Sequence, residues 1–453
     1  MRGSLTIMLE RTFQLSANQS TVGRELLAGL ITFLTMSYIL FVQPAVLSTD
    51  FNGQPTGLDA GAVLLATCVA SALATLIMGL YANYPIALAP GMGQNFFFVS
   101  VIMTLAATGI SEPWRAALGI VFIAGLAFLL LSLLGVREAI INAMSPSMRN
   151  SITVGIGLFI AFIGLKNGNF LVGNPGTLVA MTTQLLNWQC GVFCCGLFVT
   201  AVCLVRDIRG SMLWGILAAT VLAFAAGEVS TPDRFVGLPE IKTSAIFKFD
   251  LATAVSLTCA PFIFVFLYMD MFDTIGTVIG VSEQVGLTQD GKLPRARQAL
   301  TADAIGTVAG ACMGTSTVTS YIESSAGIQQ GGRTGLASCT TAALFLLALP
   351  MAPMIAAIGS YPPITAPALV LVGSMMARNV TKIDWEDRTE AIPSFLVIIG
   401  IPLSFSIADG LALGLICYPI LRLFKPGTHR TPWMMYLLAA VLLAYFVFVR
   451  ANS

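Results

Sequence analysis

Apolar runs of about 20 residues with few or no charges recur from residue 24 to residue 424, and each is long enough to cross a hydrocarbon core of roughly 30 Å. They lie at 24–48, 60–80, 86–107, 114–134, 150–166, 187–205 and 210–228, then at 251–281, 297–314, 317–331, 336–357, 363–378, 391–407 and 409–424. The longest polar connection, 229–250, is too short for a soluble domain. Charged residues make up 10% of the 453, against about 25% in a soluble domain, so lipid is the main solvent for this chain. A formal net charge of +1 without any basic block leaves no electrostatic footprint for nucleic acid. The amphipathic start, 1–23, lacks the ordered parts of a cleavable signal peptide. All nine cysteines lie in or beside apolar segments and read as buried thiols. With His429 the only histidine, neither a zinc site nor a resident cofactor is expected.

Lys and Arg placement sets the orientation. With Arg2, Arg11 and Arg24 inside, the even-numbered connections are cytoplasmic and hold Arg137, Arg149, Arg206, Arg209, Lys292, Arg295, Arg297, Arg333, Arg378, Lys382 and Arg388. Lys425 and Arg430 join them if 391–407 and 409–424 cross separately, which is the reading adopted. A leftover apolar stretch at 432–449 either spans once more or lies along the interface. Two sets of seven segments have opposite orientations, which predicts an inverted-topology repeat. The third segment of each set is abnormal: YPIALAPGMGQNFFF at 84–98 and GTSTVTSYIESSAGIQQGG at 314–332. Both read as a short extended stretch followed by a half-helix. Irregular backbone at membrane depth is tolerated where protein or a water-filled cavity satisfies it, and matched interruptions in two halves point to a transport site.

Most carboxylates sit in the connections, but Asp270 and Asp273 lie well inside the eighth segment and Glu323 inside the tenth. A carboxylate at a helix centre costs at least about 2.5 kcal/mol on insertion scales, so Asp273 and Glu323 read as functional. Asp270 shares the helical face of Asp273 and reads either as a functional acid or as a supporting partner. Asp303 opens the ninth segment, either as a helix-start residue or as an acid orienting Asp273 or a bound proton. Asn95, Ser320, Ser324 and Ser325 stand at the expected half-helix starts, where unpaired N–H groups meet a ligand's acceptors or are simply capped. Phe96, Phe97 and Tyr321 suit either stacking on a flat ring or packing. Carboxylates that accept and N–H groups that donate fit a small neutral polar solute. Facing acids argue against an anion carrier, and one terminal histidine is poor material for an enzyme.

The strings APGMGQN at 89–95, DMFDTIGT at 270–277 and TSYIESSAG at 319–327 resemble the AzgA-like branch of the nucleobase–cation symporter (nucleobase–ascorbate transporter) family. TFLTMSYIL at 32–40 and GGRTGL at 331–336 are similar to that branch as well. The resemblance implies an all-α polytopic membrane protein: fourteen helices in a seven-plus-seven inverted repeat, with short extended stretches in segments 3 and 10. It implies a core domain in two halves, 24–134 and 251–357, and a gate domain in two halves, 135–228 and 358–424. A cytoplasmic segment 1–23, an external connection 229–250 and a C-terminal segment 425–453 complete the chain. It further implies purine uptake with protons across the cell's inner membrane, and homodimers through the gate domain. The family's segment-8 and segment-10 acids fall on Asp273 and Glu323, its segment-3 asparagine on Asn95 and its segment-1 threonine on Thr35. The implied base-binding set is Glu323, Asp273, Asn95, Phe96, Thr35, Ser324 and Tyr321. The implied proton set is Asp273, Asp270, Asp303 and Glu323. In this picture Glu323 accepts the N–H groups of the purine edge and Asp273 carries the proton. APGMG is closer to the guanine/hypoxanthine permeases than to the adenine ones. Gln94 and Phe96 depart from the leucine and alanine usual around the asparagine, which bears on base preference. An anion transporter of the same fold and a uracil/xanthine-type permease are the alternatives.

Overall fold

The computed structural model describes residues 2–134, 145–230, 232, 234–237, 243–256, 258–284, 295–425, 435, 436, 439, 440, 442 and 443. Arg137, Lys292, His429, Arg430 and most of the 432–449 stretch lie outside the described residues. The described chain is mostly helical. Among the described residues, six helical spans are long and apolar enough to cross a membrane, from Val22–Ser48 to Pro362–Lys382, so this is a multi-pass membrane protein.

The first set begins with a polar α1 (Arg2–Phe13), then α2 (Val22–Met36) and α3 (Ile39–Ser48). Thr21 starts α2 by accepting from Arg24 N, a side-chain cap for one of the orphan donors at a helix start. The single segment expected at 24–48 is therefore broken at Ser37–Tyr38. Next come α4 (Ala60–Ile77), capped by Asp59, β1 (Leu88–Pro90), α5 (Met92–Ala107) and α6 (Pro113–Leu134). Then follow α7 (Pro146–Asn167), the hairpin β2 (Leu171–Asn174) and β3 (Leu178–Met181), α8 (Trp188–Val205) and α9 (Ser211–Ala225). The β2–β3 hairpin is turned by Asn174 Oδ1, which accepts from Gly176 N at 2.8 Å and Thr177 N at 3.1 Å. Nothing in the apolar pattern of the sequence announced it.

The second set holds α10 (Leu251–Ala254), α11 (Ala260–Gln284), α12 (Ala296–Met313), β4 (Val318–Ser320) and α13 (Ser324–Gln329). It continues with α14 (Gly335–Leu347), α15 (Ala352–Gly359), α16 (Pro362–Ala377), α17 (Arg388–Ser404) and α18 (Ile407–Phe424). Two segments expected to be continuous are divided. The first, 251–281, is interrupted before Pro261, and 336–357 is interrupted at Pro350. Proline removes a backbone donor and crowds the preceding turn. α17 and α18 form an antiparallel hairpin through Phe405 in the left-handed region. Its open end is tied by Lys425 Nζ donating to Asp387 Oδ2 at 2.7 Å. Beside it the buried Glu390 accepts from Tyr418 Oη at 3.1 Å, from Ser145 Oγ at 2.5 Å and from Arg422.

Both irregular third segments have the expected form of an extended stretch followed by a helix. β1 and β4 pair antiparallel with Leu88 opposite Ser320, Ala89 opposite Thr319 and Pro90 opposite Val318. Each stretch thus satisfies the other's polar backbone, as membrane depth demands. Around them α12 packs on α4 and α6, and α14 packs on α2 and α4. A second group of contacts joins α7, α8, α9, α16, α17 and α18. There α7 and α16 approach through glycine: a Cβ on Gly373 would lie 2.3 Å from the Gly157 carbonyl oxygen. Small residues at such contacts are how membrane helices gain close packing without a hydrophobic drive.

Candidate functional site

The crossing of β1 and β4 collects the carboxylates. Thr274 on α11 shares a hydroxyl–hydroxyl hydrogen bond of 2.9 Å with Thr319 on β4, which draws the acid-bearing helix against the strand pair. Asp273, the preceding residue, keeps an exposed surface although the strands beside it are buried. Its Oδ2 accepts from Gln94 Nε2 at 3.1 Å, in the first turn of α5. Glu323, between β4 and α13, is half-buried and follows Ile322, which is 50% exposed. Glu323 Oε1 accepts from Tyr38 Oη at 3.0 Å. Both acids thus keep accessible surface beside the strand crossing; both belong to the second set of segments, and their donors, Gln94 and Tyr38, belong to the first.

Asp270 and Asp303 lie behind them and are buried. Thr307 Oγ1 donates to Asp270 Oδ2 at 2.8 Å, and Ser320 Oγ lies 3.4 Å from Asp303 Oδ1. Thr307 is one helical turn beyond Asp303 on the same face of α12, so the two carboxyl groups are neighbours. Asp270 Oδ1 and Asp303 Oδ2 are buried with no hydrogen-bond partner in the protein. Among the described residues, no Lys, Arg or His forms an ion pair with any of these four acids. The hydroxyl of Thr307 also accepts from Val318 N at 3.2 Å, which joins the buried acids to the strand crossing.

The remaining expected site residues are distributed unequally. Thr35 Oγ1 lies 3.4 Å from the Glu323 carbonyl oxygen and is shared with the carbonyls of its own helix. Tyr321 Oη donates to the Pro90 carbonyl at 2.5 Å, and Ser324 Oγ accepts from Ala87 N at 3.0 Å, so both brace β1. Asn95 has no exposed surface. Its amide is engaged with Gln43, whose Nε2 reaches Asn95 Oδ1 at 3.1 Å and Thr315 Oγ1 at 3.0 Å; Ser316 also donates to it. Phe96 is 1% exposed and packs on Phe51 and Phe159, with ring centroids 6.3 and 6.2 Å away. Phe97 is buried against Phe266. In this conformation Asn95, Phe96 and Phe97 stand apart from the exposed carboxylates.

Three polar residues of this network escaped the sequence reading, Tyr38, Gln43 and Thr307, while Gln94 entered it only as a departure from the usual string around Asn95. Gln43 carried a usable signal, since an amide in the middle of an apolar run needs partners. Tyr38 carried none, and nothing local pairs Tyr38 with Glu323 or Gln94 with Asp273, because these partners lie 285 and 179 residues apart.

Comparisons with known proteins agree with this architecture. The family model Xan_ur_permease, described as a permease family, matches residues 23–413. The guanine/hypoxanthine permease PbuG of Bacillus subtilis is 41% identical over 444 residues, covering 97% of this chain and 99% of that protein. The adenine permease AdeP of Escherichia coli is 39% identical, covering 93% and 92%. Among solved structures, the transmembrane domain of the cyanobacterial bicarbonate transporter BicA superposes with a TM-score of 0.62 at 15% identity, over 86% of this chain and 97% of that one. SLC26A9 does so at 0.61 and 10% identity, over 93% and 70%. At such identities these two report the fold alone. Relatives alike over nearly their whole length are permeases rather than enzymes, and the chain belongs to the Xan_ur_permease family of membrane permeases.

Proposed function

We propose that this permease imports purine nucleobases by proton symport, with guanine and hypoxanthine favoured and adenine a further substrate. The observation that carries the reading is the pair of accessible carboxylates, the exposed Asp273 and the half-buried Glu323, beside the β1–β4 crossing. Glu323 accepts the N1–H side of the base in a charge-assisted hydrogen bond, and Asp273 completes the binding edge and takes the coupling proton. Asp270 and Asp303 stand behind as its supporting acids, because neighbouring buried carboxylates without a counter-cation are held together most cheaply by a shared proton. Thr35, Tyr321 and Ser324 order the backbone around Glu323. Asn95 acts through Gln43 by fixing the start of α5, and Phe96 acts by packing.

Around this site we read fourteen helices as a seven-plus-seven inverted repeat with a cytoplasmic N-terminus in the cell's inner membrane. The core is 24–134 with 251–357, and the gate is 135–228 with 358–424. The two groups of helix contacts support that division, and gate-to-gate contact makes the homodimer. The core moving against the gate exposes one site alternately to each side. BicA and SLC26A9 share the fold without lending their cargo, since facing carboxylates repel an anion.

The test is Asp270→Asn in the purified protein reconstituted into liposomes. A one-unit pH gradient supplies about 1.4 kcal/mol per proton, which corresponds to about tenfold accumulation of hypoxanthine at one proton per base. Asp270→Asn should bind and exchange hypoxanthine but lose that accumulation. Wild-type accumulation in both Asp270→Asn and Asp273→Asn would remove the coupling role of these acids.

A further inference from the structure

Among the described residues neither of these two carboxylates is held by a cation; each accepts from a neutral side chain. Tyr38 Oη donates to Glu323 Oε1 at 3.0 Å, and Gln94 Nε2 donates to Asp273 Oδ2 at 3.1 Å. Both donor residues are 2% exposed, so neither swings freely in solvent. Tyr38 sits where segment 1 breaks between α2 and α3. Its hydroxyl neighbours that of Tyr321, which is anchored to β1 through Pro90. The room for Gln94 comes from Gly91: a Cβ there would fall 2.1 Å from Gln94 Oε1 and 2.7 Å from Thr319 Cγ2. The glycine of the APGMG string is thus what lets this amide turn toward Asp273.

A cationic partner would both orient a carboxylate and neutralise it, leaving little to gain from a neutral ligand's N–H. A phenol or an amide orients it and leaves its charge. A preorganised acceptor also spares the ligand the ordering of a long side chain. We infer that Tyr38 and Gln94 are the positioning residues of the base site. Each pins one carboxyl oxygen, so that the exposed side of Glu323 or Asp273 meets the N–H groups of the base. The inference rests on the proposed base site and adds two residues to it, one per acid.

The experiment measures hypoxanthine binding and uptake with the full-length protein in liposomes. Tyr38→Phe and Gln94→Leu keep the volume and remove the donor. Each should raise Kd and KM about tenfold or more, the usual effect of losing a hydrogen bond to a charged group. Vmax per folded transporter and the ligand-free melting temperature should stay at wild-type values. Coupling to the acids separates positioning from general damage. Tyr38→Phe should cost nothing further in a Glu323→Gln background yet keep its full effect in Asp273→Asn, and Gln94→Leu should behave in the reverse way. Where a background binds hypoxanthine too weakly to measure, 1-methylhypoxanthine replaces Glu323→Gln, because it lacks the N1–H. The loss from Tyr38→Phe should then vanish. Full losses that add on the donor's own acid, or a lowered melting temperature with unchanged KM, would overturn the inference. Wild-type Kd in both Glu323→Gln and Asp273→Asn would instead remove the base site itself.

Discussion

Replacing Glu323 by Gln tests the base site with the least disturbance of its surroundings. Tyr38 Oη reaches Glu323 Oε1, and a glutamine keeps a carbonyl oxygen for that phenol. The change is then confined to the other oxygen, which becomes an NH2 facing the base. One charge-assisted hydrogen bond worth about 1.5–3 kcal/mol is lost, equivalent to a rise in hypoxanthine Kd of roughly 10- to 150-fold. If the amide flips to keep an acceptor toward the base, its NH2 meets Tyr38 Oη instead, and that bond survives only if the phenol turns to accept. Either orientation gives up something, so no rearrangement restores wild-type affinity. The assay is equilibrium binding of radiolabelled hypoxanthine to purified protein, with the ligand-free melting temperature as the control for folding. A Kd within twofold of wild type, in a variant that melts normally, would refute the assignment of Glu323 as the base acceptor.

Asn95→Ala strips the amide of the buried Gln43 of a partner, and an orphaned buried polar group costs about 1–3 kcal/mol; the expected result is a lower melting temperature, read by differential scanning fluorimetry. Gly373→Val drives side-chain atoms into the Gly157 carbonyl, an overpacking of typically 1–3 kcal/mol, so α7 and α16 should separate, with lower stability and slower uptake. At the hairpin end, the hydrogen bond from Lys425 holds the Asp387 carboxyl down at about 2, against an ordinary 3.8. A depressed acid stabilises above its ordinary pKa and loses that contribution as pH falls through about 2. Because the pair is partly exposed, Lys425→Ala should cost no more than about 1 kcal/mol at pH 7. The gap in melting temperature from wild type should close progressively as the medium is acidified below pH 4.

Much of this protein was legible in its sequence because lipid imposes strict local rules. Segments without charge had to be helices, and the few carboxylates inside them had to have a use. The proline- and glycine-marked strings at 84–98 and 314–332 had to be irregular, since neither composition supports an uninterrupted helix. Those features are local, and the structure shows them where they were expected. The breaks at Ser37–Tyr38 and Pro350, and the β2–β3 hairpin, were less legible because apolar composition runs straight through helix interruptions.

What only the tertiary structure decided is which polar groups meet. Asp270 and Asp273 look alike as intramembrane acids, yet one is sealed against Thr307 and the other is left exposed beside Gln94. Asn95, beside Gln94 in the same turn, points into a closed network with Gln43 and Ser316 instead. Helical spacing places neighbours on faces, but exposure depends on what packs against each face. Here that is set by the pairing of β1 with β4, between strands more than two hundred residues apart. The apolar runs determined a membrane protein with two broken segments and costly acids. The crossing of those segments determined which acids remain open to a ligand, and which neutral side chains hold them there.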